Sequence, residues 1–229
     1  MSVHIMFPNF VFTREFLGKD SGIDPTMSAD YFDCLKNEID GMRKRDPVGR
    51  NVSNAGSGWQ SIDGCDTNPM FVKAIRAIRR TVDDEMMPFL GLKPNTFKTH
   101  MHNSWANIND KGAYNRPHLH NGCFYSGVLY IKGDGDEGQI QFIDKDNKIA
   151  GVFPHAPKLN ESFSMSPKTG DLHLFPSGLM HMVEPNPTDK DRYSISFNLN
   201  VESDNNHANF IEDNQNLHFE ITSDYKLKI

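Results

Sequence analysis

Residues 105–131, WANINDKGAYNRPHLHNGCFYSGVLYI, contain the pattern that decides both the fold and the candidate site. The run YSGVLYI at residues 125–131 is rich in β-branched and aromatic residues and lies between two turn-rich segments, which predicts a β-strand whose side chains alternate between its two faces. His118 and His120 are two positions apart, so on an extended strand their side chains project from one face and can share a metal ion. An isolated pair at this spacing is a weak signal, because such pairs often arise by chance.

A later segment, residues 167–200, strengthens the metal hypothesis with a third histidine. It reads PKTGDLHLFPSGLMHMVEPNPTDKDRYSISFNLN, which predicts a turn, a strand reaching Phe175, a loop and then His181 beside a long strand. Three ligands in this arrangement can form a facial triad with open metal positions. The competing interpretation is that His181 only hydrogen-bonds to a carbonyl group. His100 and His102 share the two-residue spacing, but nothing downstream supports them, so we predict structural roles.

Strand phase adds an independent argument for a pocket. In RYSISFNLN, residues 192–200, the apolar residues share one face of the strand and the polar residues share the other. Arg192 lies on the polar face, and its planar guanidinium can form bidentate hydrogen bonds with a carboxylate. In the strand of residues 125–131 the same alternation groups Ser126, Val128 and Tyr130, so the Tyr130 hydroxyl can reach that carboxylate.

The chain outside these segments predicts helices followed by a β-rich region. Residues 29–43 have an amphipathic helical pattern, and a second helix is predicted from an Asn68 cap and Pro69 to about Gly91. From Phe97 onward, seven or eight short strands predict a β-sandwich or barrel with the helices against one face. The tail from Glu202 is polar, and LHFEITSDYKLKI at residues 217–229 suggests a peripheral hairpin.

Residues 45–66 predict a long loop, because they are rich in Gly, Ser, Asn and Asp and have no periodicity. Loops of this length are often lids or binding segments. We therefore consider two interpretations: a lid over the site that contains Trp59, or a surface excursion with Trp59 tucked into the core.

The composition excludes several classes of protein. The 229 residues include 24 Lys and Arg against 30 Asp and Glu, a formal charge of −6, which argues against nucleic-acid and membrane partners. The sequence has no apolar run long enough for a membrane span and no secretion signal at its N-terminus. Three cysteines without C-x-x-C spacing suit a reducing cytosol, so we expect a cytoplasmic protein. A chain of this length needs no metal to fold, so a bound metal would serve chemistry.

The order of these motifs resembles that of the Fe(II)- and 2-oxoglutarate-dependent oxygenases, especially the prolyl-hydroxylase-like branch. The segments HIMFPNFVF (4–12), GWQS (58–61) and WANIN (105–109) are similar to those of a subgroup found in bacteria and bacteriophages. For a phage-encoded protein, the expected cytoplasm is that of the host. The resemblance rests on the following order: Tyr114, His118-Leu119-His120, a strand ending in Tyr130, GQIQF at 138–142 after an acidic turn, PKTGD at 167–171, His181 and Arg192.

The resemblance implies a mainly β fold, a double-stranded β-helix of the jelly-roll, cupin-like kind, with the N-terminal helices packed on one sheet. We expect one domain, with helical and loop support in residues 1–95, the β-helix core in 96–201 and a peripheral tail in 202–229. The partner would be a peptide, protein or small-molecule substrate, and the protein a monomer or homodimer.

The resemblance also implies roles for individual residues. His118 and His181 match two iron ligands of the catalytic centre, His120 stands at the place of the third, and Arg192 matches the residue that binds the far carboxylate of 2-oxoglutarate. Tyr130 falls where family members place a carboxylate-binding tyrosine. Further candidates for the co-substrate pocket are Ser194, Ser126, Asn107, Asn198 and Tyr114. The implied reaction is a hydroxylation by O2 in which 2-oxoglutarate is converted to succinate.

His120 departs from the family pattern, which usually has Asp or Glu at this place. A neutral imidazole leaves the Fe(II) centre one charge unit more positive than a carboxylate would. Three outcomes are open: His120 binds the metal, it swings away and leaves the position to water or an anion, or another carboxylate enters. We favour direct binding.

Two other functions compete with the oxygenase. A three-histidine zinc hydrolase or hydratase would use a similar ligand set, but it does not require Arg192 and Tyr130. A non-catalytic, cupin-like module would bind a metal or a small acid without consuming oxygen.

Overall fold

The computed structural model describes residues 9–17, 27–93, 95–144 and 162–203. The predicted hairpin at residues 217–229 lies outside these residues. In chain order the elements are β1 (Phe12–Glu15), α1 (Ala29–Arg45), β2 (Asn54–Ala55), β3 (Trp59–Gln60), α2 (Val72–Thr81), a π-helical turn (Val82–Met86), α3 (Met87–Phe89), β4 (Phe97–Asn109), β5 (Tyr114–His118), β6 (Tyr125–Lys132), β7 (Ile140–Ile143), β8 (Ser162–Met165), β9 (Asp171–Pro176), β10 (His181–Val183) and β11 (Arg192–Ser203).

The strands form two antiparallel sheets. The six-stranded sheet has the order β1-β9-β6-β11-β4-β3, and the five-stranded sheet has the order β2-β5-β10-β7-β8. Side chains of both sheets meet between them, where the rings of Phe142 on β7 and Phe175 on β9 lie edge to face with centroids 4.9 Å apart. The described residues from Phe97 onward form eight strands, within the predicted number.

The large hydrophobic core lies between the helices and the outer face of the six-stranded sheet. Buried residues of α1 and α2, among them Leu35, Ile39 and Ile78, pack in one cluster with Leu129, Ile195 and other sheet residues. Burying these apolar surfaces supplies the main driving force for folding. The prediction that the helices cover one sheet is therefore confirmed.

The ends of the predicted helices need one correction. α1 covers the predicted helix, and its Ser28 cap accepts a hydrogen bond from the Tyr31 amide. The second helix begins at Val72 and not at Pro69. Asn68 accepts a hydrogen bond from the Met70 amide, but this bond closes a turn, and the i to i−4 pattern starts one turn later with Ile75 bonded to Phe71.

Three short strands in the N-terminal region were not predicted. β1 pairs with β9, β2 with β5, and β3 with β4, so this region completes both sheets. Strands of two to four residues are too short to show a period. The division at residues 95 and 201 stays a prediction.

Trp59 is a core residue and does not line the cavity, and a lid function of the loop of residues 45–66 stays a prediction. Its side chain is 3% exposed, packs in the large core and donates a hydrogen bond from Nε1 to the Asp46 carbonyl. Gly49 makes this fit possible, because its φ is +62° and a Cβ there would lie 2.7 Å from Trp59 Nε1. The interpretation that tucks Trp59 into the core is confirmed.

No helix within the described parts of the chain is both long enough and apolar enough to cross a membrane.

His173 is a buried polar residue in the space between the sheets. It lies opposite Val128 in the β6–β9 register, its ring is edge to face with Tyr130, and it is 2% exposed. Its Nδ1 has no hydrogen-bond partner among the described residues. Burial lowers the pKa of His173 to about 4, so this imidazole is neutral near pH 7.

This environment predicts how stability depends on pH. Between the ordinary histidine pKa of 6.5 and about 4, the unfolded chain binds the His173 proton more readily than the folded protein does. Stability therefore falls as the pH drops through this window, by about 3 kcal/mol for this group. His173→Leu should be at least as stable near pH 7 and should lose that part of the pH dependence, as measured by urea unfolding of both proteins. An unchanged pH profile would contradict the prediction.

Candidate metal centre

The three histidines come from neighbouring strands and the turn after one of them. His118 ends β5 and lies directly opposite His181 of β10 in the antiparallel register. His120 follows β5, and its amide donates a hydrogen bond to the Ser177 carbonyl. One ligand nitrogen of each ring lies within 4.8 Å of those of the other two. Strand pairing therefore brings together residues that are 63 positions apart in the chain.

Backbone carbonyls select the nitrogen that two of the rings present. His118 Nδ1 lies 2.6 Å from the Arg116 carbonyl oxygen, and His181 Nδ1 lies 2.9 Å from that of Leu179. A carbonyl oxygen only accepts hydrogen bonds, so each Nδ1 carries the proton and each Nε2 keeps a free lone pair. The carbonyl bond of His181, which was the competing interpretation, is present. It uses Nδ1 and leaves Nε2 free for a metal, so the two interpretations are compatible.

The three rings are held in the form that binds metals. Burial lowers the pKa of His118 and of His120, and it lowers that of His181 to about 3. All three imidazoles are therefore neutral near pH 7, and metal binding displaces no proton from them. Three neutral nitrogen donors fit Fe(II), Zn(II), Ni(II) or Cu(II) and do not fit Mg2+ or Ca2+, which prefer oxygen. The donor set thus fits the iron that the motif order implied.

Arg192 provides a buried positive charge in the same cavity. It is 2% exposed, and its Nη1 donates hydrogen bonds to the carbonyls of Glu137 at 3.0 Å and Gly138 at 2.6 Å. Burial lowers the pKa of Arg192 from its usual value. Among the described residues, no carboxylate forms an ion pair with this guanidinium. The Glu137 charge raises the pKa of Arg192 without forming such an ion pair. Because a buried charge with no carboxylate in direct contact is costly, the cavity is suited to an anionic ligand.

The turn before β7 holds Arg192 in place. The buried Glu137 carboxylate accepts hydrogen bonds from the Asp134 and Gly135 amides, which fixes the turn that presents the two carbonyls. Gly138 has a φ of +85°, and a Cβ there would lie 2.4 Å from the Glu184 carbonyl oxygen. Only glycine fits this position without a shift of the backbone.

Tyr130 lies beside Arg192 in the cavity wall. It is 2% exposed, and it pairs with Ser194 in the β6–β11 register. Burial raises the pKa of Tyr130 to about 12, although the Arg192 charge lowers it. The phenol is therefore neutral and able to donate a hydrogen bond to an anion.

The predicted site residues fall into three groups. His118, His120, His181, Tyr130, Arg192, Ser194 and Asn107 line the cavity. Ser126 and Asn198 lie behind the ligands, where Asn198 contacts His120. Tyr114 pairs with Ala55 and does not line the cavity. The roles of these residues stay predictions.

Sequence reasoning missed Trp105 and Ser53, which also line the cavity. The indole ring stacks on the His120 ring with centroids 5.8 Å apart and an angle of 26° between the planes. Ser53, from the loop of residues 45–66, also lines the cavity and accepts a hydrogen bond from Asn115. Trp105 could have been found, because it alternates with Asn107 along β4 and therefore shares its face. Ser53 had no such signal.

A family comparison agrees with the geometry. The family model described as "Putative 2OG-Fe(II) oxygenase" matches residues 103–198, the segment that contains the three histidines, Tyr130 and Arg192. This segment is therefore similar to the 2-oxoglutarate- and Fe(II)-dependent oxygenases, the family whose motif order the sequence resembles. The match does not favour the zinc hydrolase or the non-catalytic module. No curated protein matches the chain.

Solved structures share the fold at low sequence identity. A prolyl-4-hydroxylase from Pseudomonas putida is 20% identical with a TM-score of 0.50, and the alignment covers 82% of this chain and 91% of that one. A Trichoplax adhaerens prolyl hydroxylase bound to a hypoxia inducible factor peptide fragment is 14% identical, with a TM-score of 0.54 and coverages of 83% and 82%. HygX from Streptomyces hygroscopicus, with nickel, 2-oxoglutarate and hygromycin B bound, is 12% identical, with a TM-score of 0.52 and coverages of 83% and 82%. The double-stranded β-helix is confirmed.

The geometry predicts that all three histidines are required for metal binding. Removing a direct ligand should cost more than the roughly 10–100-fold that changes behind the ligands cost. We expect His118→Ala, His120→Ala and His181→Ala each to weaken Ni(II) binding by more than about 100-fold in a calorimetric titration of the metal-free protein. His100→Ala is the matched control, because His100 is exposed and pairs with Glu202. If His120→Ala keeps the wild-type affinity, His120 is not a ligand.

Proposed function

We propose that this protein is a 2-oxoglutarate- and Fe(II)-dependent oxygenase and that it hydroxylates a C–H bond of a prolyl-like peptide residue or of a small molecule. In this proposal His118, His120 and His181 hold the iron, and Arg192 with Tyr130 anchors the co-substrate. The observation that carries the proposal is the combination, in one cavity, of a three-histidine cluster and a buried arginine that forms no ion pair with any carboxylate of the described residues.

Arg192 distinguishes the proposed site from a metal site that only activates water. A zinc hydrolase needs three ligands and a water molecule, and its water activation does not require a buried cation. A five-carbon dicarboxylate has one end that can chelate a metal and a second carboxylate at its far end. That second carboxylate supplies the anion that the Arg192 guanidinium lacks, and the Tyr130 hydroxyl can donate a further hydrogen bond to it.

The protein contributes binding, orientation and exclusion of water. Bound iron with 2-oxoglutarate supplies the oxygen activation that is coupled to loss of CO2 and formation of succinate. Val128, Ile140, Phe175 and Val183 line the cavity as apolar walls. These apolar side chains exclude water and so strengthen the electrostatic attraction between Arg192 and a carboxylate, because the effective dielectric constant there is lower than in water. Asn107 donates hydrogen bonds to Ser194 and Ser196, which fixes these three polar side chains in the cavity lining.

Direct binding by His120 is the arrangement we propose among the three that the sequence left open. Its ring lies against His118 and His181, with centroids 5.2 Å from each. No described Asp or Glu belongs to the ligand cluster, so a substitute carboxylate is not supported within those residues. The resulting centre carries one more positive charge than a site with a carboxylate ligand, which favours the binding of an anionic co-substrate.

The substrate is proposed at the level of its class. Two of the similar structures contain a peptide fragment and hygromycin B, respectively, so both peptide and small-molecule substrates suit this fold. Trp105 is partly exposed beside the metal cluster and offers an aromatic surface to a substrate ring. Fold similarity alone does not identify the target.

The proposal predicts a spectroscopic signal from the co-substrate complex. Anaerobic addition of Fe(II) and then 2-oxoglutarate to the metal-free protein should produce the weak visible charge-transfer band of the chelate. Arg192→Met keeps the volume of the side chain and removes its charge, so it should lose the band at the same 2-oxoglutarate concentration. Tyr130→Phe should weaken 2-oxoglutarate binding by about 10-fold or more, as expected for a hydrogen bond to a charged group.

The control for this experiment is Arg45→Ala. Arg45 lies on α1, is exposed and pairs with Glu38, so its removal should leave the band unchanged. A wild-type protein that binds Zn(II) tightly but never shows the band with Fe(II) and 2-oxoglutarate would contradict the proposed function. The same holds if Arg192→Met retains the wild-type affinity for 2-oxoglutarate.

A further inference from the structure

His120 differs from the other two histidines in the partner of its Nδ1 atom. His118 and His181 contact backbone carbonyls of their own strand segments, whereas His120 Nδ1 lies 2.6 Å from the side-chain oxygen Oδ1 of Asn198. Asn198 is on β11, 78 residues further along the chain, and is 7% exposed. The orientation of His120 therefore depends on a side chain that a single substitution can change.

A row of polar side chains across three strands fixes the Asn198 amide. The register places Asn198 opposite Asn103 of β4 on one side and opposite Ser126 of β6 on the other. Asn198 Nδ2 donates to Asn103 Oδ1 at 2.8 Å, and Ser126 Oγ donates to Asn198 Oδ1 at 2.7 Å. Ser126 is also 3.1 Å from the hydroxyl of Ser177, whose carbonyl accepts the His120 amide hydrogen bond.

The orientation of this amide decides which nitrogen of His120 is free. With Oδ1 toward the ring, Nδ1 must carry the proton, and the Nε2 lone pair faces the other two histidines. With the amide reversed, the NH2 group would face Nδ1, the proton would move to Nε2, and the ring could not bind a metal there. The bond to Asn103 Oδ1, which only accepts, favours the first orientation, and the Ser126 hydroxyl is compatible with it as a donor.

We propose that Asn198 is a positioning residue that makes His120 a metal ligand; this inference rests on the metal site of the proposed function. A carboxylate ligand has no tautomers, so a metal site with Asp or Glu at this place needs no such device. An imidazole has to keep its proton on the nitrogen that points away from the metal. Stacking of Trp105 on the same ring restrains the plane, and Asn198 sets the tautomer.

The test compares three variants of the full chain. Asn198→Ala removes the acceptor, Asn198→Asp keeps an oxygen that accepts from Nδ1, and Ser196→Ala is the matched control. Ser196 is two residues earlier on the same face of β11 and bonds to Asn107, not to a histidine. Long-range 1H–15N NMR of the metal-free protein reports which His120 nitrogen carries the proton, and a Ni(II) titration reports metal affinity.

We expect wild type, Asn198→Asp and Ser196→Ala to keep the proton on Nδ1. Asn198→Ala should lose this preference and bind Ni(II) about 10–100-fold more weakly, while Asn198→Asp should bind at least as tightly as wild type. Asn198→Ala with either an unchanged tautomer or an unchanged affinity would overturn the inference. If Asn198→Ala fails to fold, Asn198→Asp decides alone, and a loss of Nδ1 protonation or of affinity in that variant would overturn it.

Failure of the proposed function gives a different result. If the wild-type protein binds none of Fe(II), Ni(II) and Zn(II), the metal site itself is wrong. If wild type binds metal and Asn198→Ala binds it equally well, the metal site stands and only the positioning role of Asn198 is refuted.

Discussion

The alternation of side chains along β11 is the constraint on which both the core and the site depend. Odd-numbered residues such as Tyr193, Ile195 and Phe197 pack in the large core under the helices. Even-numbered residues such as Arg192 and Asn198 face the space between the sheets, where the cavity lies. A shift of one residue in the pairing with β4 or β6 would exchange the two sets. The same hydrophobic burial that fixes the register therefore aims the polar groups of the site.

The fold buries several polar groups at a cost in free energy, in and behind the site, and it compensates for some of them with hydrogen bonds. Arg192 has two carbonyl partners, and Asn198 has a chain of side-chain hydrogen bonds. His173 has no partner for Nδ1 among the described residues. Charged groups without a counter-ion and polar atoms without a hydrogen-bond partner are expected around a ligand cavity, because a bound ligand can supply those partners. The large core beneath the helices supplies stability that offsets these costs.

Sequence reasoning succeeded where a feature is local or periodic, and it failed where contacts join distant segments. Helix α1 and the two faces of β11 follow from periodicity. The two-residue spacing marked His118 and His120, and the predicted order of strand and loop marked His181. The start of α2 was placed three residues early, because a side-chain bond from Asn68 can close either a helix cap or a simple turn. Trp59 lies in an aperiodic segment, so its burial could not be separated from a lid.

The sequence by itself determined the β-rich class, the side of each strand that faces the core and the residue types of the candidate site, because these depend on patterns within short stretches. Only the tertiary structure decided how those stretches meet. The pairing of β5 with β10 brings His118 to His181, and the row formed by Asn103, Asn198 and Ser126 links three strands. Which nitrogen His120 presents, and whether Arg192 has a carboxylate partner, depend on groups far apart in the chain. Such contacts leave no local pattern, because they are set by strand register and not by spacing along the sequence.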